Sequence, residues 1–254
     1  MASPSRPRFL VSVALLTLLF CSASSGQDGL QLFHKMQTAL GGAEKIASVR
    51  DLEESVTAEA WYSDGRPLGK VRKRTRWIRP NYLRLDQVGP TDTYVLYFNG
   101  TSGWEILPDK TVANLAGDEL KFAQNYLLGL NLNFWLADRD PSRVITSSRP
   151  NVIVVSTKGD ASQRTEFTLD PITFLPGKQT DISLSDPNHP VPSESRLEQW
   201  QTIGGVKFPQ RITKFQGGRK LAEITVVQIK LNSDIKAGDL AIKPPDLKPV
   251  ISQP

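Results

Sequence analysis

Residues 51–88 read DLEESVTAEAWYSDGRPLGKVRKRTRWIRPNYLRLDQV, and turn residues cut that stretch into three runs that alternate with a period of two. Val56, Ala58 and Ala60 share one face of the first run. Ser63-Asp64-Gly65-Arg66-Pro67 then reverses the chain, since Asp and Gly tolerate tight-turn torsions and proline presets its own φ. The return run, about Leu68 to Ile78, puts Lys70, Arg72, Arg74 and Arg76 on one side and Val71, Thr75 and Trp77 on the other. Leu83 and Leu85 alternate with Tyr82, Arg84 and Asp86 until Val88-Gly89-Pro90 ends the third run. Such alternation predicts strands with one wet face and one dry face. Glu53 and Glu54, adjacent on a strand, point to opposite faces.

The same pattern continues outward. Thr93–Phe98 and Gly103–Leu107 read as strands joined by Asn99-Gly100-Thr101-Ser102. After Asp140-Pro141 the candidates are Arg143–Ser147, Val152–Thr157, Arg164–Leu169, Gln179–Leu184, Glu194–Gln201, Val206–Phe215 and Leu221–Leu231, separated by Gly, Pro and Asn turns. No composition shift or internal repeat divides them. The expectation is a mainly β domain over residues 27–242, with few helices and one strongly curved antiparallel sheet or open β-barrel. The tail 243–254, KPPDLKPVISQP, carries four prolines and reads as flexible.

Two segments have helical spacing. Asp28 is placed to cap a helix striped by Leu30, Phe33, Met36 and Leu40, which Gly41-Gly42 would end. Residues 117–137, GDELKFAQNYLLGLNLNFWLA, place Leu120, Ala123, Leu127, Leu130 and Phe134 on one helical face. Phe122, Leu128, Leu132, Trp135 and Leu136 widen that face beyond a single stripe, so this segment must be covered on most sides. In a barrel it either fills the interior or lids it.

The first 26 residues read as a cleaved signal peptide. Arg6 and Arg8 precede the apolar run FLVSVALLTLLF (9–20), and Ser24 and Gly26 suit the −3 and −1 positions of a cleavage site. Leu18-Leu19-Phe20-Cys21 offers a second reading, lipidation at Cys21, although Phe20 stands where a small residue is wanted. Cys21 is the sole cysteine. The exported chain therefore has no thiol, which excludes disulfides, thiolate metal sites and cysteine nucleophiles. Formal net charge is +5, and loss of Arg6 and Arg8 lowers it to +3, too mild for a nucleic-acid partner.

The order of elements, a leading helix, meandering strands, a helical insertion and a second strand series, resembles the periplasmic lipoprotein carrier (LolA-like) family. It also resembles that family's wider superfamily of envelope lipid-binding proteins. The residues that carry the likeness are Arg79-Pro80-Asn81-Tyr82-Leu83-Arg84, Asn99-Gly100-Thr101-Ser102-Gly103-Trp104, Leu40-Gly41-Gly42-Ala43-Glu44-Lys45, and Gly204-Gly205-Val206-Lys207-Phe208-Pro209 with Arg211-Ile212-Thr213. The likeness spans most of residues 28–235. It implies an open half-barrel closed by helices over an apolar cavity that accepts lipid or lipoprotein acyl chains. It implies a periplasmic, non-catalytic protein without a cofactor.

The inventory of reactive groups agrees with that expectation. His34 sits in the first helix, and His189 lies in a proline-flanked loop with Asp186. Asp181, Asp186 and His189 have no recognised metal spacing. There is no Gly-x-Ser-x-Gly elbow and no phosphate-cradling glycine loop. Candidate cavity and lid residues are Trp77, Leu83, Leu85, Leu96, Phe98, Trp104, Phe167 and Leu169 from strands, with Leu120, Phe122, Leu127, Leu130, Phe134 and Trp135 from the insertion. Lys70, Arg72, Arg74 and Arg76 form a basic face, read either as a solvated exterior or as a docking surface for anionic lipid or an acidic envelope protein. The alternative function is an envelope sensor or interaction module without a transported ligand.

Overall fold

The computed structural model describes residues 25–182 and 192–244. The leader with Cys21, the loop with Asp186 and His189, and the tail from residue 245 lie outside the described residues. Helices α1 (Ser25–Ala39) and α2 (Ala43–Ala47) precede six strands: β1 (Asp51–Trp61), β2 (Pro67–Ile78), β3 (Tyr82–Val88), β4 (Thr93–Phe98), β5 (Gly103–Ile106) and β6 (Val112–Asn114). Helices α3 (Gly117–Leu128) and α4 (Asn131–Phe134) and a 3-10 turn (Ala137–Arg139) follow. Seven further strands complete the sheet: β7 (Arg143–Arg149), β8 (Val152–Thr157), β9 (Asp160–Leu169), β10 (Pro176–Ile182), β11 (Ser193–Ile203), β12 (Val206–Gln216) and β13 (Arg219–Leu231). A short α5 (Ala237–Ala241) comes last.

All thirteen strands belong to one curved, unclosed sheet in the order β6-β5-β4-β3-β2-β1-β13-β12-β11-β10-β9-β8-β7. Every neighbour is a sequential hairpin partner except one pair, β1 with β13, which joins the two meanders. The sheet's two edges are thus β6 and β7, which are consecutive in sequence. Their connection, residues 115–142, must travel from one edge to the other, and its apolar side chains take it across the concave face. This is the strongly curved, open antiparallel sheet expected from the alternation, and it has the half-barrel form that the resemblance implied.

Helix α1 closes the concavity from another side. At Gly29 it rests on the edge strand β7 so closely that an added Cβ would lie 2.3 Å from the Thr146 carbonyl carbon. At its far end, the Lys207 N–H donates to the Leu40 carbonyl at 2.8 Å. Between these anchors Phe33, Met36 and Leu40 are fully buried, whereas Leu30 is 40% exposed. The helix begins at Ser25 rather than after a cap at Asp28. Asp28 lies within its first turn, where a carboxylate complements the positive end of the helix dipole.

The main core lines the concave side, with Trp77, Phe98, Trp135 and Phe167 among its fully buried residues. A second, smaller core forms on the convex side from Trp104, Ile106 and Val112. There Leu240 of α5 is fully buried, and buried Arg84 donates to the carbonyls of Leu240 and Ile242.

The concave face beneath the crossing helices

Register decides what faces inward. Leu52 pairs with Trp77, Trp77 with Leu83, and Leu83 with Phe98. One residue pair along, Thr75 pairs with Leu85 and Leu85 with Leu96. Trp77, Leu83, Leu85, Leu96 and Phe98 are therefore side by side on one wall, all buried. Phe167, Leu169, Ile153 and Val155 form the facing wall from β9 and β8.

Trp104 does not join them. Gly103 pairs with Phe98 and Glu105 with Leu96, so the inward positions of β5 are 103 and 105. Trp104 pairs with Tyr97 and packs in the convex core, its ring under the Arg84 guanidinium at 5.7 Å. A single step of strand parity moves it to the other face.

The helical insertion is two structures rather than one. In α3, Ala123 and Leu127 are buried and Leu120 packs partly buried against the core, so the +3/+4 stripe does face inward. Phe122, on the same helix, is 50% exposed, stacked obliquely on Tyr126, and does not line the interior. Leu128 is also exposed. The helix ends at Gly129. Beyond it Leu130 and Phe134 pack partly buried, Phe134 edge-on to Phe167 at 5.9 Å. Trp135 is fully buried between Trp200 and Phe208, with centroids at 6.3 and 5.7 Å. Gln37 of α1 donates to the Trp135 carbonyl at 2.9 Å and ties this plug to the closing helix. Residues 131–137 thus fill one end of the barrel, while α3 lids the rest.

Under that lid the concave face is partly polar, contrary to the purely apolar lining expected. Ala58, Val71 and Ile224 are inward and partly buried, since Ala58 pairs with both others. Among them stand Glu54, Lys73 and Lys214, also at inward register positions. Lys73 donates from Nζ to the Tyr126 hydroxyl of α3 at 2.8 Å. Among the described residues this is the one hydrogen bond between α3 and a strand. Enclosure works to lower the Lys73 ammonium's pKa, but Tyr126 and Glu54 prevail and raise it. Enclosure pushes the Glu54 carboxyl up despite the opposing pull of Lys73 and Lys214. Lys214 is accessible to water yet walled in by the concavity. Enclosure, then Lys73, pulls it down. Asp181 accepts from Thr165 at 2.7 Å and from Gln179 at 3.0 Å on the β9–β10 wall. The sequence reading of β2 passed over Lys73. Its signal was a charge at an odd-numbered position, inside the stripe shared by Val71, Thr75 and Trp77.

A sign follows for Glu54. In the fold it keeps its proton to a higher pH than in the unfolded chain, so the folded state binds the extra proton between the two values. Stability therefore falls as pH rises through that window. Glu54→Gln should remove the decline, being at least as stable as the parent at pH 8 and matching it near pH 4. Urea unfolding at both pH values measures this, and a variant less stable at pH 8 would contradict it.

The basic face of β2 also differs from its sequence reading. Lys70, Arg72, Arg74 and Arg76 do share the convex face, but carboxylates meet three of them. Arg74 bonds Glu53 at 2.5 Å, Arg76 bonds Asp86 at 2.7 Å, and Lys70 lies 3.8 Å from Glu59. Cross-strand neighbours from β1 and β3 supply the negative charge, leaving Arg72 opposite Thr57 and Val88. The face is a ladder of ion pairs instead of a bare positive field.

A groove of about 620 Å³ beside α1, lined by His34, Lys35 and Phe174 among others, shares none of the concave-face residues. It is shallow and open, and its chemistry is unremarkable. Among the described residues no cluster of three His, Cys, Asp or Glu side chains could hold a metal.

Neither a protein-family model nor a curated protein sequence matches the chain. Solved structures do match. A LolA superfamily protein from Nitrosomonas europaea superposes with a TM-score of 0.54 at 16% identity, covering 82% of this chain and 97% of that one. A DUF1329 family protein from Desulfovibrio piger gives 0.60 at 12% identity, covering 85% and 96%. A domain described as outer membrane lipoprotein-sorting, from Vibrio parahaemolyticus, gives 0.54 at 9% identity, covering 85% and 97%. At these identities the likeness is one of fold, and the fold is LolA-like.

Proposed function

We propose that this chain, exported to the periplasm by its leader, binds lipid or lipoprotein acyl chains on the concave face under α3 and performs no chemistry on them. The observation that carries the reading is the two-faced build of α3. It presents Leu120, Ala123 and Leu127 to the barrel and Phe122 and Leu128 to solvent, and it is held to the strands by the Lys73–Tyr126 hydrogen bond. A helix tied this lightly can lift, which would expose apolar wall on both sides of the opening. Transfer of an acyl chain there is worth about 0.8 kcal/mol per buried methylene. The likeness to a lipoprotein-sorting domain and a LolA superfamily protein supports the same reading.

Native mass spectrometry of the protein purified from its own envelope is the direct test. A mass exceeding the polypeptide by one lipid is expected, released on mild unfolding. Protein that emerges bare, and takes up no added acyl probe, would overturn the reading.

A further inference from the structure

An enclosed ammonium without a counter-charge is costly. On the concave face Lys73 has, among the described residues, no carboxylate at ion-pair distance, and Lys214, though reached by water, is unpaired as well. Lys73 has a phenol hydroxyl, not a carboxylate, as its hydrogen-bond partner. Lys214, among the described residues, makes no hydrogen bond or ion pair within 4 Å, though it senses the charge of Lys73, Asp181 and Glu54. Of the carboxylates in range, Glu54 is driven toward its neutral form by enclosure, and Asp181 is already engaged by Thr165 and Gln179. Three of the four cations on the convex side of β2 are treated otherwise, Arg72 being the exception. On the convex face Lys70, Arg74 and Arg76 each have a carboxylate from a neighbouring strand or from a residue directly across.

The two lysines come from distant strands. Lys73 is on β2 and Lys214 on β12, with β1 and β13 between them. The register sets Lys214 in line with Ala222, Ala60 and Gly69, four residues along β2 from Lys73. On a flat sheet three strand steps of about 4.8 Å and four residues of about 3.4 Å would hold their backbones roughly 20 Å apart. Curvature and long side chains turn both ammonium groups toward the same space, where each also senses Tyr126 of α3. Beside them runs the partly buried apolar strip of Ala58, Val71 and Ile224.

We propose that Lys73 and Lys214 together receive the acidic head, a carboxylate or a phosphate, of an amphiphile whose hydrocarbon lies along Ala58, Val71 and Ile224 beneath α3. The proposal rests on the acyl-binding reading above and narrows it to anionic amphiphiles. An oxyanion offers each ammonium a charged acceptor, stronger than the phenol that Lys73 now has and absent for Lys214. Asp181 is engaged by Thr165 and Gln179, and enclosure favours the neutral form of Glu54. Neither carboxylate therefore closes an ion pair with the two lysines, and both ammonium groups can donate to an entering anion.

Three probes with the same chain test it: oleate, 1-oleoyl-lysophosphatidate and uncharged 1-monooleoylglycerol, each titrated below its aggregation threshold at pH 7.5 and followed by tryptophan fluorescence. At least one acidic probe should bind the unaltered protein about tenfold or more tighter than the glycerol ester. Preference for oleate assigns the head as a carboxylate, and preference for lysophosphatidate as a phosphate. In K73M/K214M, whose side chains keep similar length, the ratio of acidic-probe to glycerol-ester affinity should fall by about tenfold, to near one. Loss of the Lys73–Tyr126 tie acts on all probes alike and cancels in that ratio. Equal affinity for all three probes in the unaltered protein, a result that needs no variant, would overturn the acidic-head proposal and leave acyl binding standing. A preference that survives in the double variant would do the same. Failure of every probe to bind would overturn both.

Discussion

Replacing Trp135 with alanine should cost the domain about 3–5 kcal/mol of stability, the range for removing a large aromatic from a closed core. The indole is fully buried and packs on Trp200 and Phe208, from β11 and β12. Its own Nε1 has no hydrogen-bond partner. Truncation therefore also removes one poorly satisfied donor, which places the loss toward the lower end of that range. Urea denaturation followed by circular dichroism should show a midpoint lower by about 1–2 M, taking a slope of a few kcal/mol per molar. An unchanged midpoint would mean that residues 131–137 do not plug the barrel.

Leu127→Asp should do something different, although it lies only eight positions earlier. Leu127 is 7% exposed on the inward face of α3. A carboxylate there cannot stay among the core side chains without a cost of several kcal/mol. The helix has an alternative to unfolding the sheet: it can swing outward, breaking the Lys73–Tyr126 bond. The expected result is at least about a tenfold loss in uptake of a fluorescent fatty acid. The strands should stay folded, and the urea midpoint should fall by less than for Trp135→Ala. If Leu127→Asp lowers the urea midpoint as far as Trp135→Ala does or unfolds the domain outright, and the parent protein binds no probe, then α3 is core and the acyl-binding reading fails. The two substitutions thus separate plug from lid within one segment.

That division was half legible beforehand. Spacing marked Leu120, Ala123, Leu127, Leu130 and Phe134 as one face, and all five pack on the core. What the spacing could not say is that Gly129 would end α3 and let the chain after Leu130 turn inward. With that turn Trp135 enters the core, while Phe122, on the unbroken helix, keeps its solvent-facing position. The ion pairs on β2 were likewise invisible in a run of four basic residues. Their partners Glu53 and Glu59 come from β1, and Asp86 comes from β3.

Alternation, turn residues and helical spacing are local properties, each set within one run of chain by backbone geometry. By itself the sequence determined that this protein is a series of antiparallel hairpins with a helical insertion, and it located nearly every strand. Tertiary structure alone decided the rest. The β1–β13 pairing joins residues far apart in sequence. The strand parity across the Asn99–Ser102 turn turned Trp104 to the convex side, although the residue fits either face by its chemistry. The sheet's curvature brought Lys73 and Lys214 into one concavity from opposite halves of the chain. Register and curvature are sums over many inter-strand contacts, and no single stretch of sequence contains them.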